Sequence, residues 1–353
     1  MGLLASPETL WYKQQRVGTR VSKRVFDKEE GMQFNPLKFQ MPLATGGIAL
    51  MAFNYLQFAV PHTQDMITLN DMLAASFTPV QLCLNWILVA LMLIFSLITV
   101  ASIPSYVWRW FKWRGDKEAY GKFMADAPTV VVTDSVPFAS LAMTGLVVLA
   151  PLAFFIPVLS SNIQAMMLPG LLFFALLWVG LFNHQFRILK KWLTQPTDVT
   201  KLHFVWLLDV FSFALVSLIG TGVAAMSHNG DIAAIAAFGS FFTVVFGFLL
   251  LIAKLGYLIF LQIKAEALPG KNVLPSFFLI VPISCLYGFS MHRLAMYVQA
   301  HFAIDMAGML FATFVIPYVI ALGWSAFCIY LLWDYLRHDF LKSDFAAPQW
   351  SLI

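Results

Sequence analysis

Residues 202–263 decide the fold: LHFVWLLDVFSFALVSLIGTGVAAM (202–226), then SHNGD (227–231), then IAAIAAFGSFFTVVFGFLLLIAKLGYLIFLQI (232–263). Two apolar runs of 25 and 32 residues flank a five-residue polar turn, with Lys201 and Lys264 at the outer ends. About 20 apolar residues are enough for a helix to cross a bilayer. In hydrocarbon the backbone must satisfy its own hydrogen bonds, as a helix or a closed barrel does. Runs this long read as two helices joined as a hairpin, leaving and returning on the Lys201 and Lys264 side.

The same reading extends in both directions. Spans fall near 37–60, 82–107, 135–158, 164–184, 203–226, 233–262, 274–295 and 305–336. The expected fold is an all-α membrane protein of about eight transmembrane helices, paired as four hairpins. Composition agrees, since 60% of the 353 residues are hydrophobic and 11% are charged, against about 25% charged in soluble domains. Three regions follow: a cytoplasmic N-terminal segment (1–36), a transmembrane helical domain (37–336) and a cytoplasmic tail (337–353). The N-terminal segment mixes Lys13, Arg16, Arg20, Lys23 and Arg24 with acids and is no secretory signal. It is long enough to dock a partner or cover a cytoplasmic mouth.

Counting Lys and Arg sets the orientation. Of 22, 20 fall on the side of the termini, Lys254 lies within a span and Arg293 stands opposite. The positive-inside rule then places both termini in the cytoplasm of a plasma-membrane protein. The net charge of +4 belongs to these loops and gives no case for nucleic acid. Trp108, Trp110 and Trp113, interleaved with Arg and Lys, read as an interfacial belt. Cys83, Cys285 and Cys328 lie in apolar runs without metal spacing and read as small buried hydrophobes. No metal, cofactor or enzymatic motif emerges: there is no HExxH, phosphate loop or Ser-His-Asp ordering.

Ionisable groups inside a span call for a reason. Asp209 stands about 12 Å into the fifth helix, counting from Lys201 at 1.5 Å per residue, and Lys254 stands ten residues before Lys264. Their depths match on antiparallel neighbours, so a structural ion pair is the first expectation; a pore-facing Lys254, a gating Asp209 or a snorkelling Lys254 are the others. The odd helices share a texture of Pro, Gly and small hydroxyl residues: Pro42, Thr45, Gly46 and Gly47; Pro137, Ser140, Thr144, Gly145 and Pro151; Ser212, Ser217, Gly220, Thr221 and Gly222; Pro275, Pro282, Ser284 and Gly288. Taken singly, each Gly or Ser is more often a packing residue. Repeated in four odd helices, the texture suggests an inner ring of kinked helices shielded by plainer even ones, the eighth carrying Pro317. The candidate pore lining is Thr45, Gly46, Gly47, Thr144, Gly145, Ser212, Gly220, Thr221, Pro282 and Ser284. Of the histidines, His62, His228, His292 and His301 belong near the outer face and His184, His203 and His338 near the inner; a bis-histidine haem at His292 and His301 is weakly suggested.

Three segments carry a resemblance. Pro275-Ser-Phe-Phe-Leu-Ile-Val-Pro282-Ile-Ser resembles the seventh helix of the tellurite-resistance/dicarboxylate transporter family, which includes the plant slow-type anion channels. Phe39-Gln-Met-Pro-Leu-Ala-Thr-Gly-Gly-Ile-Ala-Leu resembles that family's first helix, and Trp206 to Gly220 fits its fifth loosely. The likeness is one of texture along the chain. It implies helical hairpins with kinked odd helices inside, and a narrow pore for small anions such as chloride, nitrate, sulfite, malate or tellurite. Family members usually have ten helices with a gating Phe on the ninth. Here Pro348 to Ile353 resemble only the start of a ninth, so helices nine and ten are expected to be missing and no gate residue is transferred. A second copy or a partner subunit could complete the wall. The expected function is an integral membrane channel or transporter for small inorganic or carboxylate anions along a pore of odd helices. The alternative is a quinol-binding membrane subunit of a redox complex, with His292 and Arg293 near its pocket, and a scaffold role is the remainder.

Overall fold

The computed structural model describes residues 34–62, 66–196, 198–265 and 267–340, together with Lys342 and Gln349. Among these the secondary structure is helical, without strands. Eight long helices follow one another: α1 (Gln40–Ala59), α2 (Pro79–Gly115), α3 (Val136–Leu149), α4 (Met167–Thr194), α5 (Leu208–Met226), α6 (Gly230–Lys264), α7 (Ile280–Phe302) and α8 (Ala307–Leu331). With the short helical turns that adjoin them, seven (α2 to α8) are long and apolar enough to cross a membrane. The chain is thus a multi-pass membrane protein by its physical character. The 20-residue α1 is also long enough, but Gln40, Asn54 and Gln57 dilute its apolar surface.

The helices form two tiers. α1 packs on α3, α3 on α5 and α5 on α7; α2, α4, α6 and α8 cover this file from outside. Within the most apolar window, α5 is 100% buried, α7 56% and α3 50%, whereas α2 and α6 are 22%, α4 33% and α8 11%. Odd helices inside and even helices outside is the arrangement their texture suggests. The remaining surface of the even helices is Leu, Ile, Val and Phe, the chemistry that lipid wets.

Several boundaries differ from the sequence reading. Residues 108–115 continue α2 instead of forming a loop, and Lys117–Ala125 is a further helix capped by the Asp116 carboxylate on the N–H groups of Glu118 and Ala119. α7, with the 3-10 turn before it, runs from Lys271 to Phe302, past the expected end at 295. The 62–81 connection contains the helix Leu69–Ala74, closed by a Thr68–Asp71 capping box. Thr68 holds the Asp71 carboxyl below its ordinary range. Most of residues 1–36 and 337–353 lie outside the described residues, including all of Pro348 to Ile353 except Gln349.

The kinks are also placed differently. α1, α3 and α5 run unbroken through Gly46, Gly145 and Gly220. Instead, every odd helix begins on a 3-10 segment: Pro36–Phe39, Val132–Ser135, Phe204–Leu207 and Lys271–Leu279. Pro42, Pro137 and Pro282 fall in the first α-helical turn after those segments, beside the change of helical type. The one internal break in an odd span is at Ala150–Pro151. The even helices are less plain than expected, since α2 carries Pro104 as well as α8 carrying Pro317.

Candidate functional site

Asp209 and Lys254 meet, as their matched depth requires. Lys254 Nζ lies 2.5 Å from Asp209 Oδ2 and donates to the Trp206 carbonyl at 3.0 Å. The Trp192 and Trp206 rings flank the ammonium at 4.5 and 4.6 Å. Asp209 Oδ1 accepts the Val210 N–H at 2.7 Å. Both side chains are essentially sealed, at 0% and 3% exposure. A buried pair with its remaining lone pairs and protons satisfied is tolerated; a half of one is not. The pair therefore joins α5 to α6 as a neutral unit, with no surplus charge offered to an ion.

A second buried centre was missed by sequence reading. Asp134, wholly buried, accepts from Trp110 Nε1 (2.7 Å), Arg114 Nη2 (2.8 Å) and Nε (3.2 Å), and Tyr120 Oη (3.0 Å). His184 Nδ1 stands 3.5 Å away. Burial, then the Asp134 charge, pushes the Tyr120 phenol up to about 12. The cluster ties α2, the helix Lys117–Ala125 and α4 to the start of α3. It also corrects the belt reading: Trp108 is exposed, but Trp110 and Trp113 are core residues. The one available signal was an Asp just before an odd span. The cysteine reading is corrected too, as Cys328 is buried while Cys83 and Cys285 are exposed.

The pore-lining candidates do not share one environment. Thr45 bonds Thr99 of α2 at 2.8 Å. A Cβ on Gly46 would meet Met143 of α3, and one on Gly145 would meet Phe173 of α4. Gly220 lies against Ser240 and Phe174 of the outer tier. Ser212 donates to the Ser135 carbonyl at 3.0 Å, while Thr144, Thr221 and Ser284 donate to carbonyls of their own helices. Gly47 and Pro282 are partly exposed. These glycines thus mark close helix approaches.

The surroundings of α5 can be read round its circumference at 100° per residue. Ile219 faces Gly145 of α3. Val223 faces Gly170 of α4, and Phe213 packs on Phe182 and Phe246 of α4 and α6. Ser217 bonds Ser290 of α7 at 2.9 Å. One sector is left by these contacts: Phe211, Ala214, Leu218, Gly222 and Ala225. Ala214 is 0% and Leu218 6% exposed, and the sector opens to partial exposure at Gly222 and Ala225.

Arg293 enters that sector from α7. Its Nη1 donates to the Leu218 carbonyl at 3.3 Å, and Phe289 lies under the guanidinium at 4.3 Å. Sequence reading put Arg293 in the margin of its helix; in fact nine residues of α7 follow it, so it is a second base well inside a span. His292 turns the other way, its Nδ1 lying near the Leu310 carbonyl (3.3 Å) and Thr313 of α8. His301 Nδ1 lies 3.1 Å from the Tyr297 carbonyl. His292, Arg293 and His301 therefore do not converge, and among the described residues no group of three metal-ligating side chains does. A groove of about 380 Å³ lined by Phe238, Phe241, Phe242, Val245, Phe246 and Leu249 lies along α6 in the outer tier. Compared with known protein families, curated proteins and solved structures, the chain matches none.

Proposed function

We propose that this protein moves small anions across a plasma membrane, with eight spanning helices and cytoplasmic termini. The observation that carries the reading is the two-tier bundle: helices rich in Pro, Gly and hydroxyl residues are gathered inside a lipid-facing sleeve. The solute would pass along the inner tier, beside the sector of α5 that Arg293 of α7 enters. The paired Asp209 and Lys254 leave no net charge deep in α5 to repel an anion. Selectivity would then rest on diameter, on backbone and hydroxyl donors and on a weak positive field. Phe211, Ala214 and Leu218 are buried in the conformation described, so opening a route there requires that they move.

The test is flux. Purified protein in liposomes should dissipate a chloride or sulfite gradient, and an unrelated eight-helix protein should not. Absence of flux for chloride, nitrate, sulfite and malate, under either polarity of potential, would sink the proposal. Thiol labelling from outside at Asn229→Cys and from inside at Thr194→Cys tests the topology separately.

A further inference from the structure

We infer that Arg293 is an anion-binding residue within the membrane, taking a halide or oxyanion on the N–H groups of its guanidinium. The inference deepens the anion reading and rests on it for the sign of the solute only.

Depth comes first. Leu218, whose carbonyl the guanidinium contacts, lies eight residues from the end of α5 at Met226, about 12 Å at 1.5 Å per residue. The side chain therefore runs sideways at depth, toward a neighbouring helix, and not along its own helix to the interface as a snorkelling arginine would. Charge balance follows. Arg293 forms no ion pair among the described residues, in contrast to Lys254 with Asp209 and Arg114 with Asp134. The acids nearest in sequence to this end of the bundle, Asp231 and Asp305, are exposed. A guanidinium carries five N–H donors. One is directed at the Leu218 oxygen, which also accepts from Thr221 Oγ1 at 3.2 Å. The rest have no acceptor among the described residues, a costly state at this depth unless a ligand or water completes it.

Room and access complete the case. A Cβ on Gly222 would stand 3.0 Å from Arg293 Nη1, so glycine there leaves space for the guanidinium. Pro282, Leu286, Phe289, Arg293 and Met296 repeat at 4, 3, 4 and 3 residues and share one face of α7. All five are partly or fully exposed, so this face leaves the cation uncovered by the described residues. The planar fork suits oxyanions. A free anion and a lipid phosphate offer the same chemistry, and the experiment separates them.

The test measures binding without transport. Lipid-depleted protein in neutral detergent is unfolded thermally across a nitrate series, with gluconate holding ionic strength, and then across a phosphatidylglycerol series. Nitrate, phosphatidylglycerol or both should raise the midpoint in the parent. Arg293→Gln should need at least tenfold more of the same ligand, with Arg293→Lys between the two. Gly222→Leu should weaken the response without removing the charge. A response to phosphatidylglycerol alone, lost in Arg293→Gln, assigns the site to a lipid phosphate. An unchanged response in Arg293→Gln overturns the inference, as does a parent that responds to neither ligand. If Arg293→Gln does not fold, an unchanged response in both Gly222→Leu and Arg293→Lys overturns it equally. Binding with no liposome flux would leave this site standing and sink transport; flux with an Arg293-independent response would do the reverse.

Discussion

Helices α5 and α6 are the two arms of one hairpin, both apolar enough to span, yet α5 is buried throughout and α6 mostly faces outward. Apolar character alone cannot separate them, because lipid and protein interior are equally dry. What separates them is size. Along its buried stretch α5 carries Ser212, Ala214, Ser217, Gly220 and Thr221, which let five other helices and turns approach, while α6 turns Phe238, Phe241, Phe242, Val245 and Phe248 outward. In a bilayer, small residues mark the side where backbones meet.

The sharpest way to break that contrast is at the charge pair joining the arms. Asp209→Asn or Lys254→Met leaves an uncompensated group in a sealed site and should destabilise by about 3–5 kcal/mol. Replacing both with apolar residues should recover most of the loss, as thermal or denaturant unfolding in detergent would read. Equal damage from single and double replacement would refute the neutral-lock description.

Glycines give the next largest effect. A Cβ on Gly247 would collide with Tyr287 and with Phe213, whereas one on Gly256 meets open space on the same helix. Gly247→Ala should cost about 1–3 kcal/mol by overpacking. Gly256→Ala should be neutral, or stabilising by up to about 1 kcal/mol. Similar midpoints for the two variants would mean that α6 has no inner edge at Gly247.

A labelling experiment sharpens the tiers without mutation. A carbene-generating reagent dissolved in the bilayer should modify peptides of α6 and α8 severalfold more than residues 208–221 of α5, with mass spectrometry reading the ratio. Even labelling of the two arms would dissolve the distinction.

The smallest effect lies just before the start of α5. Burial lowers the His203 pKa below its ordinary value, and its Nδ1 has no hydrogen-bond partner among the described residues. The unfolded chain then binds the proton more readily, so stability rises with pH through this window and falls as pH drops below about 6.5. His203→Gln should flatten that fall slightly, seen as a smaller midpoint difference between pH 7 and pH 5.

The hairpins and the Asp209–Lys254 pair were legible in sequence because both follow from arithmetic along one helix: apolar length, and depth counted from a flanking lysine. The inner and outer tiers were legible because packing between backbones demands small residues repeatedly. The Asp134 centre was not, since its partners lie 14 to 50 residues away in sequence and no periodicity connects them. Arg293 was misjudged for a simpler reason. A charged residue near the end of an apolar run reads as the end, and α7 continues past it through Met296, Tyr297 and Val298.

The paired geometry at the start of each odd helix carries a mechanical consequence. A 3-10 turn rises about 2.0 Å and rotates 120° per residue, against 1.5 Å and 100° in an α-helix. Rewinding the four residues Phe204–Leu207 into α form would draw α5 back by about 2 Å and spin it by roughly 80°, like a screw taken up by a fraction of a turn. A spin of that size would carry Phe211 and Leu218 out of their sector with no helix broken. Rewinding the nine residues Lys271–Leu279 would turn α7 by about 180°. Four such collars stand at one end of the bundle, so torque applied there would reach the whole length of the inner helices.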